Sequence, residues 1–225
     1  MIMNKEKSTG IQISQKPIGQ EISVTGGGIK IKASEKPIAT SFAVALGWLY
    51  FVLDCSGSKR VKQKLDQARL GIIDFAKDAF KKNYRVGLIK FSDGAEVLFD
   101  PTNNIDLLQD QIKDLKAVGS TNMTAAIKIA HSKLKNLTGT RVIVIATDGM
   151  PDNIKSSLEA AGKAKADGVE IMTIGTDDAE QEFLKKLASR TELSSKVSSD
   201  MFAKAISGAS LLLPGPKSIL PRGET

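Results

Sequence analysis

Two apolar runs, each ending in an aspartate, constrain what this chain can become more than any other feature. Trp48-Leu49-Tyr50-Phe51-Val52-Leu53 leads into Asp54-Cys55-Ser56-Gly57-Ser58, and Val142-Ile143-Val144-Ile145-Ala146 leads into Thr147-Asp148-Gly149. Each run is the length of one strand, lacks polar alternation, and so reads as a strand covered on both faces. Strands of that kind belong to parallel sheets sandwiched between helices. In such sheets neighbouring strands deliver their following loops to the same edge.

The rest of the chain supplies the helices. Leu65, Ala68, Ile72, Phe75, Ala76 and Ala79 recur at helical spacing between Lys59 and Phe80, one buried stripe on an amphipathic helix. Val86–Phe91 and Ala95–Phe99 read as strands joined by the tight turn Ser92-Asp93-Gly94, hence antiparallel. Ile105, Leu108, Ile112 and Leu115 mark a second helix, and Ala126, Ile127, Ala130, Leu134 and Leu137 a third. A helix over Asn153–Ala166 carries Ile154, Leu158 and Ala161 on one face. A strand over Val169–Ile174, a helix over Asp177–Ala188, a short strand over Ser195–Ser198 and a helix over Met201–Leu213 follow. This alternation predicts a doubly wound, mostly parallel α/β sheet flanked by helices.

Ahead of it, Ile22 and Val24, then Gly26-Gly27-Gly28, then Ile29 and Ile31 spell a hairpin with one apolar face. Ile11–Ile18 echoes Ile29–Ile38, both ending in Lys-Pro-Ile. We therefore divide the chain into an N-terminal β-rich appendage (1–45), a main domain (46–213) and a proline-bearing tail (214–225). A small sheet is marginal alone, so the appendage is expected to decorate the domain or to self-assemble through residues 11–38.

Composition narrows the function classes. The 41% hydrophobic and 25% charged content is that of an ordinary globular domain. No stretch reaches the length of a membrane span, the start lacks the apolar core of a signal peptide, and one cysteine excludes an internal disulfide framework. A cytoplasmic location is the expectation. The formal net charge of +7 is scattered over lysines without aromatic interleaving, so a nucleic-acid surface is a weak alternative to a solvated basic face.

Asp54, Ser56, Ser58, Thr121 and Asp148 are the chemistry-bearing residues that this topology can gather at one edge. A carboxylate and two hydroxyls on one turn suit a hard divalent cation, which takes oxygen ligands and keeps part of its water. Gly57 permits the sharp curl between the two serines. The plainer reading is turn-making and capping.

Asp54-x-Ser56-x-Ser58, the threonine of Gly119-Ser120-Thr121, and Thr147-Asp148-Gly149, in that order, resemble the metal-ion-dependent adhesion site of the von Willebrand factor type A domains. The resemblance covers roughly Trp48–Leu213. It implies a site for Mg²⁺ or Mn²⁺ in which Ser56 and Ser58 are direct ligands, Thr121 is a switchable one, and Asp54 and Asp148 mainly balance charge. It implies a non-catalytic module that binds a protein partner through an acidic side chain completing the metal shell. It further implies an adaptor role beside ATPases, kinases or phosphatases, including in stress response. Lys59 and Arg60 follow Ser58 where many relatives carry Met or another uncharged residue. Either they are surface residues of a first helical turn, or they weaken metal affinity and favour an acidic ligand, by roughly 0.5 kcal/mol per charge at about 8 Å in water.

Four other residues carry chemistry of their own. Cys55 reads as a packed thiol, His131 as a satisfied or surface histidine, and Asp93 as the cap of its own turn. Asp152, four residues after Asp148, is a helix N-terminal residue or a second carboxylate near the metal. It also keeps a competing reading open, because Asp54 with Asp148-x-x-x-Asp152 mimics the haloacid dehalogenase phosphatases, in which Asp54 would accept a phosphoryl group. That chemistry wants a titrating acid two residues later, where this chain has Ser56. A metal-free scaffold is the remaining alternative.

Overall fold

The computed structural model describes residues 20–25, 28–33, 45–57, 61–117 and 119–217. Ser58, Lys59, Arg60, the first copy of the N-terminal echo and the tail beyond residue 217 lie outside the described residues. The chain divides into two compact units, Met1–Phe42 and Ala43–Thr225.

In the first unit β1 (Gln20–Thr25) pairs antiparallel with β2 (Gly28–Ala33), placing Ile22 opposite Ile31 and Val24 opposite Ile29. The expected hairpin is therefore present, with the apolar positions in matching register.

The second unit is a six-stranded sheet built on β3 (Gly47–Asp54). β4 (Tyr84–Phe91) and β6 (Thr140–Thr147) flank it in parallel, and β5 (Ala95–Thr102) closes one edge antiparallel to β4. β7 (Glu170–Thr176) and β8 (Ser194–Val197) extend the other side in parallel. The spatial order is β5-β4-β3-β6-β7-β8. From β3 the chain moves toward β4, whereas from β6 it moves away toward β7. The carboxyl ends of β3 and β6 thus flank a topological switch point, where a crevice opens in sheets of this kind.

Period-two alternation along β3 explains its uninterrupted apolar sequence. Leu49, Phe51 and Leu53 enter one core layer with α1 (Val61–Lys81), α2 (Ile105–Lys113) and α6 (Phe202–Ala209). Tyr50 and Val52 enter the other with α3 (Met123–Leu134), α4 (Ile154–Ala166) and α5 (Gln181–Leu187). All six residues of the predicted α1 stripe are buried, and Phe75 meets Phe51 edge-on with ring centroids 5.6 Å apart.

The structure corrects several local expectations. α5 begins at Gln181 because Asp177 adopts a left-handed conformation (φ 47°) that ends β7 in a turn. The last helix runs only over Phe202–Ala209 and tightens into a 3₁₀ turn, Ser210–Leu212. On α4 the buried stripe is Ser157, Ala160, Ala161 and Ala164, while Ile154 is 47% exposed. These small residues let α4 approach α3, where Ser157 Oγ and Thr124 Oγ1 lie 2.8 Å apart. Residues 214–217 have no regular structure, yet the Tyr84 hydroxyl donates to the Pro214 carbonyl and Lys217 N–H donates to Thr140 Oγ1.

α1 and α6 pack across Gly71, where an added Cβ would sit 2.7 Å from the Ala203 carbonyl oxygen and 2.8 Å from Ile206 Cβ. Helix propensity alone favours alanine over glycine by about 1 kcal/mol. Because one obstacle is backbone, overpacking is expected to win, and Gly71→Ala should destabilise the domain by about 1–3 kcal/mol. Urea unfolding checks this; a raised midpoint would mean that the two helices separate without loss.

Candidate functional site

Asp54 ends the central strand with its side chain only 7% exposed. Its Oδ1 accepts the Ser56 N–H at 2.8 Å, and Thr147 Oγ1 donates to its Oδ2 at 2.6 Å. The first bond folds the chain back on itself just past the strand. The second crosses from β6, whose last residue is Thr147, and ties the two ends that flank the switch point. Thr147 also receives the Gly149 N–H at 3.3 Å, which shapes the turn after Asp148.

Gly57, at φ 106°, completes the turn in a region that other residues rarely adopt, and its N–H donates to the Gly119 carbonyl. This brings in the α2–α3 loop. Thr121 Oγ1 donates to Ser56 Oγ at 2.9 Å, so two hydroxyls meet above the end of β3. Ser56 is itself buried and Thr121 half-buried.

Burial pushes the Asp54 carboxyl up to about 6, against the opposing pull of its hydrogen bonds from Ser56 and Thr147; the nearby Asp148 charge adds to the rise. Asp54, Thr147 and Asp148 border a cavity of about 10 Å³, closed beneath by Leu65, Ala68 and Phe202. It has room for about one water. The apolar floor explains why the anion is destabilised there.

Asp54, Ser56, Thr121 and Asp148 are thus gathered around one strand end. Among the described residues no group of three or more His, Cys, Asp or Glu side chains is placed to hold a metal on its own. The oxygens assembled here are carboxylates mixed with hydroxyls.

The other residues sort themselves differently. Cys55 points into the core at 2% exposure, and burial pushes its thiol up to about 12, far from reactivity. His131 Nε2 lies 2.7 Å from Asp167 Oδ2, a satisfied histidine between α3 and the end of α4. Asp93 does not cap its own turn: its Oδ1 accepts the Ser120 N–H at 2.6 Å, which holds its carboxyl below the usual range. Asp152 likewise turns to the Thr121 loop, accepting from Ser120 Oγ and Thr121 N–H at 3.0 Å each. Neither link has a sequence signal, since 27 positions separate the Asp93 pair and 31 and 32 the Asp152 pairs. Thr147, quoted in the motif only as a strand end, is the side chain that engages Asp54. Asn122 was also missed; it caps α3 by accepting the Ala125 N–H, a role that its place before an apolar-periodic run could have signalled.

A stretch of the human von Willebrand factor A domain-containing protein 3B is 30% identical over 152 residues, covering 64% of this chain and 11% of that protein. The chain therefore corresponds to a small part of that relative's length. The vWF domain of the type V pili tip protein Mfa5 from Porphyromonas gingivalis superposes with a TM-score of 0.66 at 14% identity, over 75% of this chain and 95% of that one. Proximal thread matrix protein 1 from the mussel byssus, with a zinc-occupied MIDAS motif, superposes at 0.62 and 19% identity, over 78% of this chain and 48% of its own. At these identities the structural likenesses establish the fold alone. No helix among the described residues is long and apolar enough to cross a membrane. The family model for the von Willebrand factor type A domain matches residues 49–207, most of the chain, and the protein belongs to that family.

Proposed function

We propose that this protein is a non-catalytic interaction module that binds a partner through a divalent cation, Mg²⁺ or Mn²⁺, held over Asp54, Ser56, Ser58, Thr121 and Asp148. The observation that carries the proposal is the buried Asp54 carboxylate beside Asp148, with the hydroxyls of Ser56 and Thr121 meeting above the same strand end. A buried carboxylate with a second carboxylate nearby is unfavourable as an anion, and a cation relieves it. The donor set fits a hard ion better than a soft one, since it is all oxygen. A protein of the same fold, the mussel byssus protein, carries a zinc-occupied MIDAS motif, which supports a metal in a site of this kind.

When bound, such an ion supplies an electrophilic position that accepts a carboxylate from the partner. The chain's own part is to hold the oxygens. Asp54, with both oxygens occupied by Ser56 N–H and Thr147 Oγ1, suits charge balance or a water-mediated contact. The hydroxyls suit direct contact. A module of this family generally serves protein interaction, and we extend that to an adaptor working in the cytoplasm, where a buried, unreactive Cys55 is at home. The phosphatase reading gains no support: Asp54 is enclosed and hydrogen-bonded, and the position of the needed acid is Ser56.

We further propose self-assembly through residues 11–38, supported by the β1–β2 pairing, since an isolated two-stranded sheet is marginal in water. Sedimentation of the full chain against one lacking residues 1–40 tests this: a lower association state is expected, and an unchanged one removes the role.

Linkage between Asp54 and the cation gives a signed test. With chelator present, the folded protein holds a proton on Asp54 up to about pH 6, whereas the unfolded chain releases it near 3.9. The native state therefore binds more protons in that window. Stability contributed by this group is full below about pH 4 and is lost as pH rises through about 6, by on the order of 3 kcal/mol in all. Mg²⁺ should restore it above pH 6, and Asp54→Asn should remove both the slope and the restoration. Urea unfolding from pH 4.5 to 7.5 reads this out; a wild-type slope in Asp54→Asn would assign it to another group.

At neutral pH, saturating Mg²⁺ or Mn²⁺ should raise stability by about 2.7 kcal/mol at a hundredfold excess over Kd. Asp54→Ala should abolish that rise and metal-linked partner capture while remaining folded. Capture that survives Asp54→Ala would rule out the metal bridge.

A further inference from the structure

The Thr121 hydroxyl reaches Ser56 through a loop gripped from both sides by carboxylates outside the oxygen set just described. On one side Asp93, in the turn between β4 and β5, accepts the Ser120 N–H. On the other, Asp152 accepts the Thr121 N–H with Oδ1 and the Ser120 hydroxyl with Oδ2, and its own N–H donates to the Thr121 carbonyl at 3.1 Å.

Both grips have rigid footings. Asp152 lies between the buried Pro151 and Asn153, which caps α4 by accepting the Ser156 N–H at 2.9 Å. Asp93 follows Ser92, whose carbonyl accepts the Asn122 N–H at 2.7 Å, and the Asp93 carbonyl accepts from Asn122 Nδ2 at 3.1 Å. The clamp also dictates the residue inside it. Gly119 sits at φ 76°, and a Cβ there would collide with the Asp93 carboxylate.

Supports behind a ligand set its orientation before the ion arrives. Resting on the metal reading above, we propose that Asp93 and Asp152 are positioning residues. They hold Gly119-Ser120-Thr121 so that the Thr121 hydroxyl is presented at Ser56 in the metal-free protein, acting through the loop's amide groups and not by lending charge to the ion.

Replacing Asp152 separates position from charge. In Asp152→Asn the remaining carbonyl oxygen still accepts the Thr121 N–H, and the new amide can donate to Ser120 Oγ, so the geometry is kept while the charge is gone. Asp152→Ala removes both. Two measurements on the full-length chain decide: Mn²⁺ titration by calorimetry, and hydrogen exchange at the Ser120 and Thr121 amides in chelator.

Asp152→Ala is expected to weaken Mn²⁺ binding by roughly 10–100-fold and to speed exchange at Thr121, whereas Asp152→Asn stays within about threefold of the parent in both. Asp93→Ala should speed exchange at Ser120 first. Equal losses in Asp152→Asn and Asp152→Ala would overturn the proposal in favour of plain electrostatics. Unchanged exchange at Thr121 in Asp152→Ala would overturn it outright. If the parent chain binds no Mn²⁺, the reading of the site as a metal centre fails, and the exchange measurement still decides whether the clamp exists.

Discussion

A carboxylate is enclosed at the end of the central strand, and most of the local architecture around the site answers to it. Asp54 is withdrawn from water by the layer formed by Leu65, Ala68 and Phe202, and it is kept by hydrogen bonds from one neighbour in sequence and one in space. An anion in that position is disfavoured, and the chain retains it only by spending strong donors on both oxygens. The Thr147 bond also fastens β6 to β3 at the switch point, so the same contact that tolerates the charge fixes the crevice where a ligand would bind.

The sheet's parallel sense organises everything above that edge. With β3, β4, β6, β7 and β8 all pointing one way, the loops after them gather at one pole. Asn122 and Asn153 cap α3 and α4 there with side-chain oxygens, whereas Asn104 caps α2, which follows the antiparallel β5 and begins at the other pole. At the helix ends, basic side chains meet orphan carbonyls: Arg141 bonds Lys135 O and Asp167 O, and Lys165 bonds Lys186 O and Ala188 O. Arg141 and Lys165 are thus committed to holding helix ends.

The strands, the α1 stripe and the main motif were legible because their signals are local and repeat with a period. Buried parallel strands must be apolar throughout, and a helix with one covered face must repeat its apolar residues. Ile154 shows where that logic fails: it lies on the expected apolar face, but α4 turns its small residues to α3, and packing depth decided which stripe went inside. The start of α5 failed for another reason. A left-handed aspartate at 177 carries no signature that distinguishes it from an N-terminal helix residue.

What the sequence by itself determined is the layered α/β architecture and the identity of the oxygens that end β3 and β6, since strand length, apolar continuity and motif order are written along the chain. What only the tertiary structure decided is the role of each carboxylate. Asp54, Asp93, Asp148 and Asp152 look interchangeable as letters. One is enclosed and hydrogen-bonded across two strands, one contributes charge beside it, and two grip the loop that carries Thr121. Those roles depend on contacts between residues 27 to 93 positions apart, and a carboxylate's chemistry is set by the donors and solvent around it, which no local pattern encodes.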